Sequence, residues 1–251
     1  VQYLLERLNV PCIYVEGEVI CSDKGWIVED YDKEPLPAGK SKYFTEPNQN
    51  PTVWEYSEKV YEPVSVTEYN GGTLYEFETE LNAVLEAEFK NGYQPVLICC
   101  GESREEAIDP VHCYYSWQPD KETGKCPCCA VRFAYIPDCK PGEVILRANH
   151  QYVDIRVKAL FHCGEDRLNQ IWSVADHTFR LCSGIFFIDG VKRDKWIWSG
   201  DAYQSFFVNR YLMADADIDQ RTILALRGND PMTKHINTIV DYSLLWLLGV
   251  D

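Results

Sequence analysis

The sequence predicts a β domain followed by an α domain, with a β-sandwich as the first unit. Three observations carry this. Residues 1–154 alternate apolar and polar side chains in short runs broken by turn residues, residues 155–251 repeat apolar side chains at helical spacing, and the helices follow the strands without alternating with them.

The β half is read element by element. Cys12 to Ile20 mixes β-branched and aromatic residues with acidic ones and has no helical stripe. Thr73 to Leu81 alternates strictly, which sets Leu74 and Glu76 on the face opposite Tyr75 and Phe77 unless a bulge intervenes. Asn70-Gly71-Gly72, Asn91-Gly92 and Pro141-Gly142 supply turns. Short strands at this spacing suggest the sandwich. Pro35 to Pro51 and Asp109 to Pro127 read as long surface loops.

In the α half, Leu168, Ile171, Trp172, Ala175 and Phe179 form one stripe from Glu165 onward, and Ser183-Gly184 stops it. A second helix is expected from Ser199 as N-cap through Phe206, Phe207 and Tyr211. A last one is expected from Asp230 as cap and Pro231 in its first turn to Gly249. Its buried face would be Ile236, Ile239, Val240, Ser243, Leu244 and Leu247. Leu244 to Leu248 is apolar on nearly all sides, so this helix wants neighbours all round.

Composition narrows the function classes. The 251 residues carry 24 basic and 39 acidic side chains, a net charge of −15, which repels phosphate backbones and argues against nucleic acid. Such a surface tolerates a neutral ligand such as a sugar, and seven Trp and sixteen Tyr offer rings for stacking, although all-β cores use such rings too. No apolar run is long enough to span a membrane. Val1-Gln2-Tyr3-Leu4 shows neither an initiator Met nor a signal pattern and reads as a cut end. Eleven irregularly spaced Cys argue against a disulfide framework and favour free thiols in a reducing cytoplasm. Cys126, Cys128 and Cys129 raise a structural zinc site, which would want a fourth ligand.

Between the first two helices lie Asp189, Arg193, Asp194, Trp196, Trp198 and Asp201 on one connection. Connections on a rigid scaffold are where reacting groups usually sit. Asp201 falls in the first turn of a helix, where free N–H groups favour its ionised form. Burial of Asp194 against Trp196 and Trp198 would disfavour its charge and suit it to donate a proton. Arg193 would oppose that shift or clamp a hydroxyl. The plainer alternative makes Asp201 a helix cap and Arg193–Asp194 a surface pair.

This stretch resembles the signature of bacterial α-L-rhamnosidases of glycoside hydrolase family 78: Asp, three variable residues, Arg, an acidic residue, then Trp-x-Gly-Asp. Asp189, Arg193, Asp194, Trp198, Gly200 and Asp201 fill those places. Segments 167–172, 234–243 and Gly101 to Ala107 are similar to the family as well, so the resemblance covers most of residues 95–250, while residues 1–90 carry no motif for it. The resemblance implies a β-sandwich domain at 1–154 and, at 155–251, the opening helices of an α/α six-hairpin barrel. It implies inverting hydrolysis of terminal α-L-rhamnosides without metal or organic cofactor. Asp194 takes the general-acid place, Asp189 and Asp201 the sugar-binding carboxylates, Trp198 the apolar wall, and Arg193 joins the substrate-binding set. The general base would be a Glu beyond residue 251, leaving the segment itself inactive. Many family members carry Glu where this chain has Asp194, one methylene shorter, which bears on the sugar accepted. Two competing readings are a carbohydrate-binding module and a six-hairpin glycosidase for another sugar. The motifs fix neither the aglycone nor the oligomeric state.

Overall fold

The structure, a computed structural model, describes residues 18–20, 25–28, 35–37, 56–228 and 234–251. The strand reading at Cys12 to Ile20, most of the Pro35 to Pro51 loop, and Asp230 and Pro231 fall wholly or largely outside the described residues. A two-stranded ribbon pairs β1 (Ile27–Val28) with β2 (Leu36–Pro37).

The main β unit is one antiparallel sheet of seven strands. These are β3 (Ser57–Tyr61), β4 (Ser65–Tyr69), β5 (Gly72–Phe89), β6 (Ile98–Gly101), β7 (Tyr115–Trp117), β8 (Cys129–Ile136) and β9 (Val144–Tyr152), in the order β3-β9-β5-β8-β6-β7 with β4 on the first part of β5. Asn70 and Gly71, both with positive φ, close the β4–β5 hairpin where the sequence places a turn. A register shift between Glu76 and Leu81 breaks the β5–β8 ladder and bends the long strand. The bend lets the Tyr75 hydroxyl donate across the core to the Val144 carbonyl at 2.8 Å, although Val144 pairs with Phe89 at the far end of the same strand. Among the described residues, the strands expected as a sandwich are joined in one hydrogen-bonded antiparallel sheet that bends across its core. Its faces separate as the alternation predicts: Tyr75 and Phe77 lie in the main core with Leu85, Val131 and Leu146, and Leu74 lies opposite with Cys99 and Tyr135.

The segment 109–127 is not all loop. It contains β7, because Tyr115 and Trp117 stack and pair with β6 at the sheet edge. A short helix α1 (Arg104–Ala107) precedes it, and Ser103 caps α1 by accepting from the Glu106 N–H at 3.2 Å.

Among the described residues no strand follows β9. Helices α2 (Asp166–Leu181), α3 (Ser199–Leu212), α4 (Ala216–Arg227) and α5 (Val240–Val250) follow instead. Phe179, Phe187 and Phe206 share a core with Trp172, but Leu168 and Ile171 of the expected stripe are about half exposed. α4 is an element the periodicity reading lacks. Asp215 caps it by accepting from the Asp217 and Ile218 N–H groups, each at 3.0 Å.

Two helix starts differ from expectation. Trp198, not Ser199, is the N-cap of α3; Ser199 is buried and its hydroxyl donates to the Tyr242 carbonyl at 2.8 Å. The last helix begins at Val240, after a 3₁₀ turn over Ile236–Thr238 in which Asn237 has φ +53°. Asn237 leaves the helical conformation because its side chain is claimed elsewhere: it donates to the Ile197 carbonyl at 2.9 Å and accepts from the Ser199 N–H at 3.0 Å. Gly249 lies inside α5 instead of ending it. A Cβ there would stand 2.8 Å from the Phe206 ring, and one on Gly200 would stand 3.0 Å from the Tyr242 ring, so α3 and α5 touch in the same order along both helices and run side by side in parallel. The face of α5 that packs therefore holds Tyr242, Trp246 and Gly249, whereas Ile239, Val240, Leu244 and Leu247 are exposed.

Candidate functional site

The connection from α2 to α3 is built on two apolar anchors with charges between them. Val191 and Ile197 are buried, Arg193 and Asp194 are exposed. Asp189 closes the loop on itself: its N–H donates to the Trp196 carbonyl at 3.0 Å, and its Oδ1 accepts from the Trp196 N–H at 2.8 Å. This Asp is thereby a structural brace as well as a carboxylate facing a cleft. Lys195 takes φ +48°, a strained conformation for a residue with a side chain.

The sheet grips this loop from the other side. Lys192 Nζ donates to Glu106 Oε2 at 2.7 Å and to Glu102 Oε2 at 3.0 Å, and the Tyr115 hydroxyl donates to the Lys192 carbonyl. Lys195 Nζ donates to the Cys128 carbonyl at 3.1 Å and stands 5.2 Å from the centre of the Tyr115 ring. Burial opposes ionisation of Glu106, yet its hydrogen bonds from Lys192 and from the Glu102 and Tyr114 N–H groups hold its carboxyl below the usual range.

A cleft of about 290 Å³ opens beside this clamp, lined by Asp189 and Arg193 of the loop, Cys182 of the α2 end, and Glu80, Glu102 and Lys192. Burial, the facing Glu102 carboxyl and the Glu106 charge raise Glu80 to about 7, against a smaller opposing pull from Lys192. Its Oε1 is buried without a hydrogen-bond partner among the described residues. Burial and the charges of Asp189, Glu80 and Asp201 push the Cys182 thiol up to about 11, so this sulfur is no thiolate nucleophile at neutral pH.

Residues 3–116 match the family model described as "Alpha-rhamnosidase-like, bacteroidetes, N-terminal". Over that stretch, less than half of its length, the chain is similar to this family. The rhamnosidase-like fold is also found among solved structures. A rhamnosidase from Klebsiella oxytoca with rhamnose bound superposes with a TM-score of 0.60 at 15% identity, covering 79% of this chain and 52% of that one. An alpha-L-rhamnosidase from Dictyoglumus thermophilum gives 0.52 at 14% identity, covering 83% and 29%. The chain thus spans about half of the first relative's length and under a third of the second's. No curated protein matches in sequence. The family match falls mainly on residues in which the sequence shows no family motif.

Set against this rhamnosidase-like frame, the five residues singled out by sequence are divided. Asp189 and Arg193 line the cleft, but Asp194, Trp198 and Asp201 do not. Asp194 is exposed and not buried between indoles, and Trp198 turns its ring edge-on to Tyr242 with centroids 6.0 Å apart. Asp201 is raised above the usual carboxylate range, first by burial and then by the charges of Asp189 and Asp194, against the pull of its own N–H. The helix N-terminus is therefore outweighed, contrary to expectation. The mutual effect still brings the three loop carboxylates within electrostatic reach of one another.

Glu80, Glu102, Glu106 and Lys192 are site residues the sequence reading missed. Glu80 ends an alternating acidic series, Glu76, Glu78 and Glu80, that reads as a solvated strand face. Its face is unchanged through the bulge, and it is the α2 end, the loop and Glu102 that cover it. Among the described residues no group of three or more His, Cys, Asp or Glu is arranged to hold a metal ion, and Cys126 and Cys129 are buried in the sheet core as free thiols. Among the described residues, no helix is long and apolar enough to cross a membrane.

Proposed function

We propose that this chain is part of a glycoside hydrolase that removes terminal α-L-rhamnosyl groups with inversion. In this reading, residues 1–154 are a β-sandwich-type domain and residues 155–251 the opening helices of a six-hairpin barrel. The observation that carries the reading is the braced loop. Asp189 fixes its ends, and Arg193 and Asp194 are held out between two buried anchors beside a carboxylate-lined cleft.

Asp194 is the general acid, donating a proton to the glycosidic oxygen as the bond to the anomeric carbon breaks. Asp189 and Asp201 accept hydrogen bonds from sugar hydroxyls, Arg193 donates to one, and Trp198 offers an apolar surface. Inversion requires a second carboxylate on the opposite face of the ring, about 6.5–9.5 Å from the acid, to deprotonate the attacking water. Asp189, Asp194 and Asp201 share one connection, so the base is assigned to a Glu beyond residue 251, and the 251-residue chain by itself does not turn over.

The test uses the full-length protein and aryl α-L-rhamnosides of differing leaving-group basicity. Asp194→Asn should lower kcat by about 10²–10⁴-fold with KM little changed, least for the most acidic leaving group. The first-formed rhamnose should be the inverted anomer. An unchanged rate for the variant removes Asp194 from the acid role, and a retained anomer removes the inverting mechanism.

A further inference from the structure

On the other side of the same loop lies a second cleft, of about 230 Å³, which shares Leu181 and Val191 with the first. Its chemistry is the opposite. In a chain with 39 acidic residues, none of the described residues lining this cleft is Asp or Glu, while Arg180, Lys195 and His150 all are part of it.

The charged groups in this wall keep unspent donors. Arg180 uses its Nε on Asp176, at 3.1 and 3.2 Å, which leaves its terminal nitrogens without partners among the described residues. Lys195 spends one of its three hydrogens on the Cys128 carbonyl. Asn82 accepts from the Cys128 thiol through Oδ1 at 3.4 Å and keeps its amide N–H₂. Acceptors are present as well, among them Gln151 Oε1 and Ser183 Oγ, but no lining side chain is a carboxylate to oppose the two cations. A ligand with a surplus of acceptors matches, and Arg with Lys favours a carboxylate. His150 stacks on Tyr152 with centroids 5.3 Å apart and 12° between planes, which adds a flat ring pair to the wall. The volume falls below the roughly 300–1,000 Å³ of drug-sized pockets, so the occupant is one ring, not a chain.

We propose that this cleft binds a carboxylate-bearing sugar unit, a uronate, next to the sugar held in the first cleft. The sugar class rests on the glycosidase reading; the anionic ligand rests on Arg180 and Lys195 in a lining without Asp or Glu. Burial holds His150 below the usual histidine range, helped by His177 and Lys59 and opposed by the Asn82 carbonyl, so the ring is neutral near pH 7 and serves as a reporter. A carboxylate bound beside it raises its titration midpoint.

The experiment is NMR titration of the 251-residue chain with methyl β-D-glucuronoside and methyl β-D-glucoside, which differ only in the carboxylate. The glucuronoside should shift the His150 and Tyr152 ring signals saturably, raise the His150 midpoint, and bind about tenfold or more tightly than the glucoside. The preference should shrink with added salt. Arg180→Gln should abolish it, and since Arg180 is an exposed helix residue the fold should survive. Lys195→Gln should do the same, while Lys195→Arg retains it. Equal binding of both sugars, or binding of neither, overturns the proposal. Failure of rhamnoside hydrolysis by the full-length protein, with glucuronoside binding intact, would count against the glycosidase reading and leave this site standing.

Discussion

Glu80 sits where a strand bulge, a short helix and the α2–α3 loop meet, and its proton links them. Its carboxyl is raised to about 7 by burial, by the facing Glu102 and by the Glu106 charge, partly offset by Lys192. A carboxyl whose folded pKa lies above its unfolded value near 4.5 favours folding in its protonated form. Its contribution is therefore complete below about pH 4.5 and is lost as pH rises through about 7. Glu80→Gln keeps the neutral shape at every pH. The variant should match the parent near pH 5 and be more stable at pH 8. The difference is on the order of 1 kcal/mol once solvent screening and the shared titration with Glu102 are allowed for. Thermal unfolding at the two pH values checks this; equal midpoints throughout would mean that Glu80 titrates as a solvent-exposed carboxylate.

At the scale of elements, the joint between the 3₁₀ turn and α3 depends on one side chain. Asn237 holds a positive φ, donates to Ile197 and accepts from Ser199, so it satisfies a buried N–H that has no acceptor within the helix that carries Asp201. Asn237→Ala loses both hydrogen bonds and keeps the strained conformation, at a cost of about 2–3 kcal/mol. Asn237→Gly relieves the strain and should recover about a third of that. Denaturant midpoints for the two variants separate the terms, and equal losses would discount the backbone contribution. The same residue explains what was legible in the sequence. Local patterns placed the β5 faces, the Asn70-Gly71 turn and the spans of α2 and α3, because period and turn chemistry act over a few residues. The break before Val240, the true N-cap Trp198 and the packed face of α5 depend on partners about 40 residues away, such as Ile197 and Phe206. α4 escaped because Asp215 and the apolar Ile218, Ala225 and Leu226 are spaced among charges that blur the stripe. In the site, the loop motif was readable, but Glu80 and the Lys192 partners are joined to it only by tertiary contacts.

At the scale of the whole molecule, the sheet and the helices are joined through the loop that carries the candidate chemistry. Lys192 reaches Glu102 and Glu106, and Tyr115 and Cys128 hold the loop backbone and Lys195. Lys192→Met should leave the two Glu facing each other without a cation and loosen the loop. The Trp196 amide, bonded to Asp189, should then exchange with solvent about tenfold faster, while amides of β5 and β8 keep their protection. Uniform acceleration across the sheet would mean global destabilisation, not a clamp.

The helices also leave large apolar side chains in water: Val240, Leu244, Leu247, Leu248 and Val250 on α5 are each more than half exposed, and Tyr211 on α3 is 75% exposed. Monomeric proteins seldom expose a contiguous patch beyond a few hundred square ångströms, so this face should drive association. The net charge of −15 opposes it by mutual repulsion that salt screens within about 10 Å at 0.1 M. Association of the 251-residue chain should therefore rise with ionic strength, the reverse of assembly through ion pairs. Replacing Leu244, Leu247 and Leu248 together by Gln should suppress it, because none of the three is buried against the rest of the chain. Sedimentation at low and high salt reads both effects. A triple variant that still associates would move the adhesive surface to α2, where Leu168, Ile171 and Val174 are also exposed.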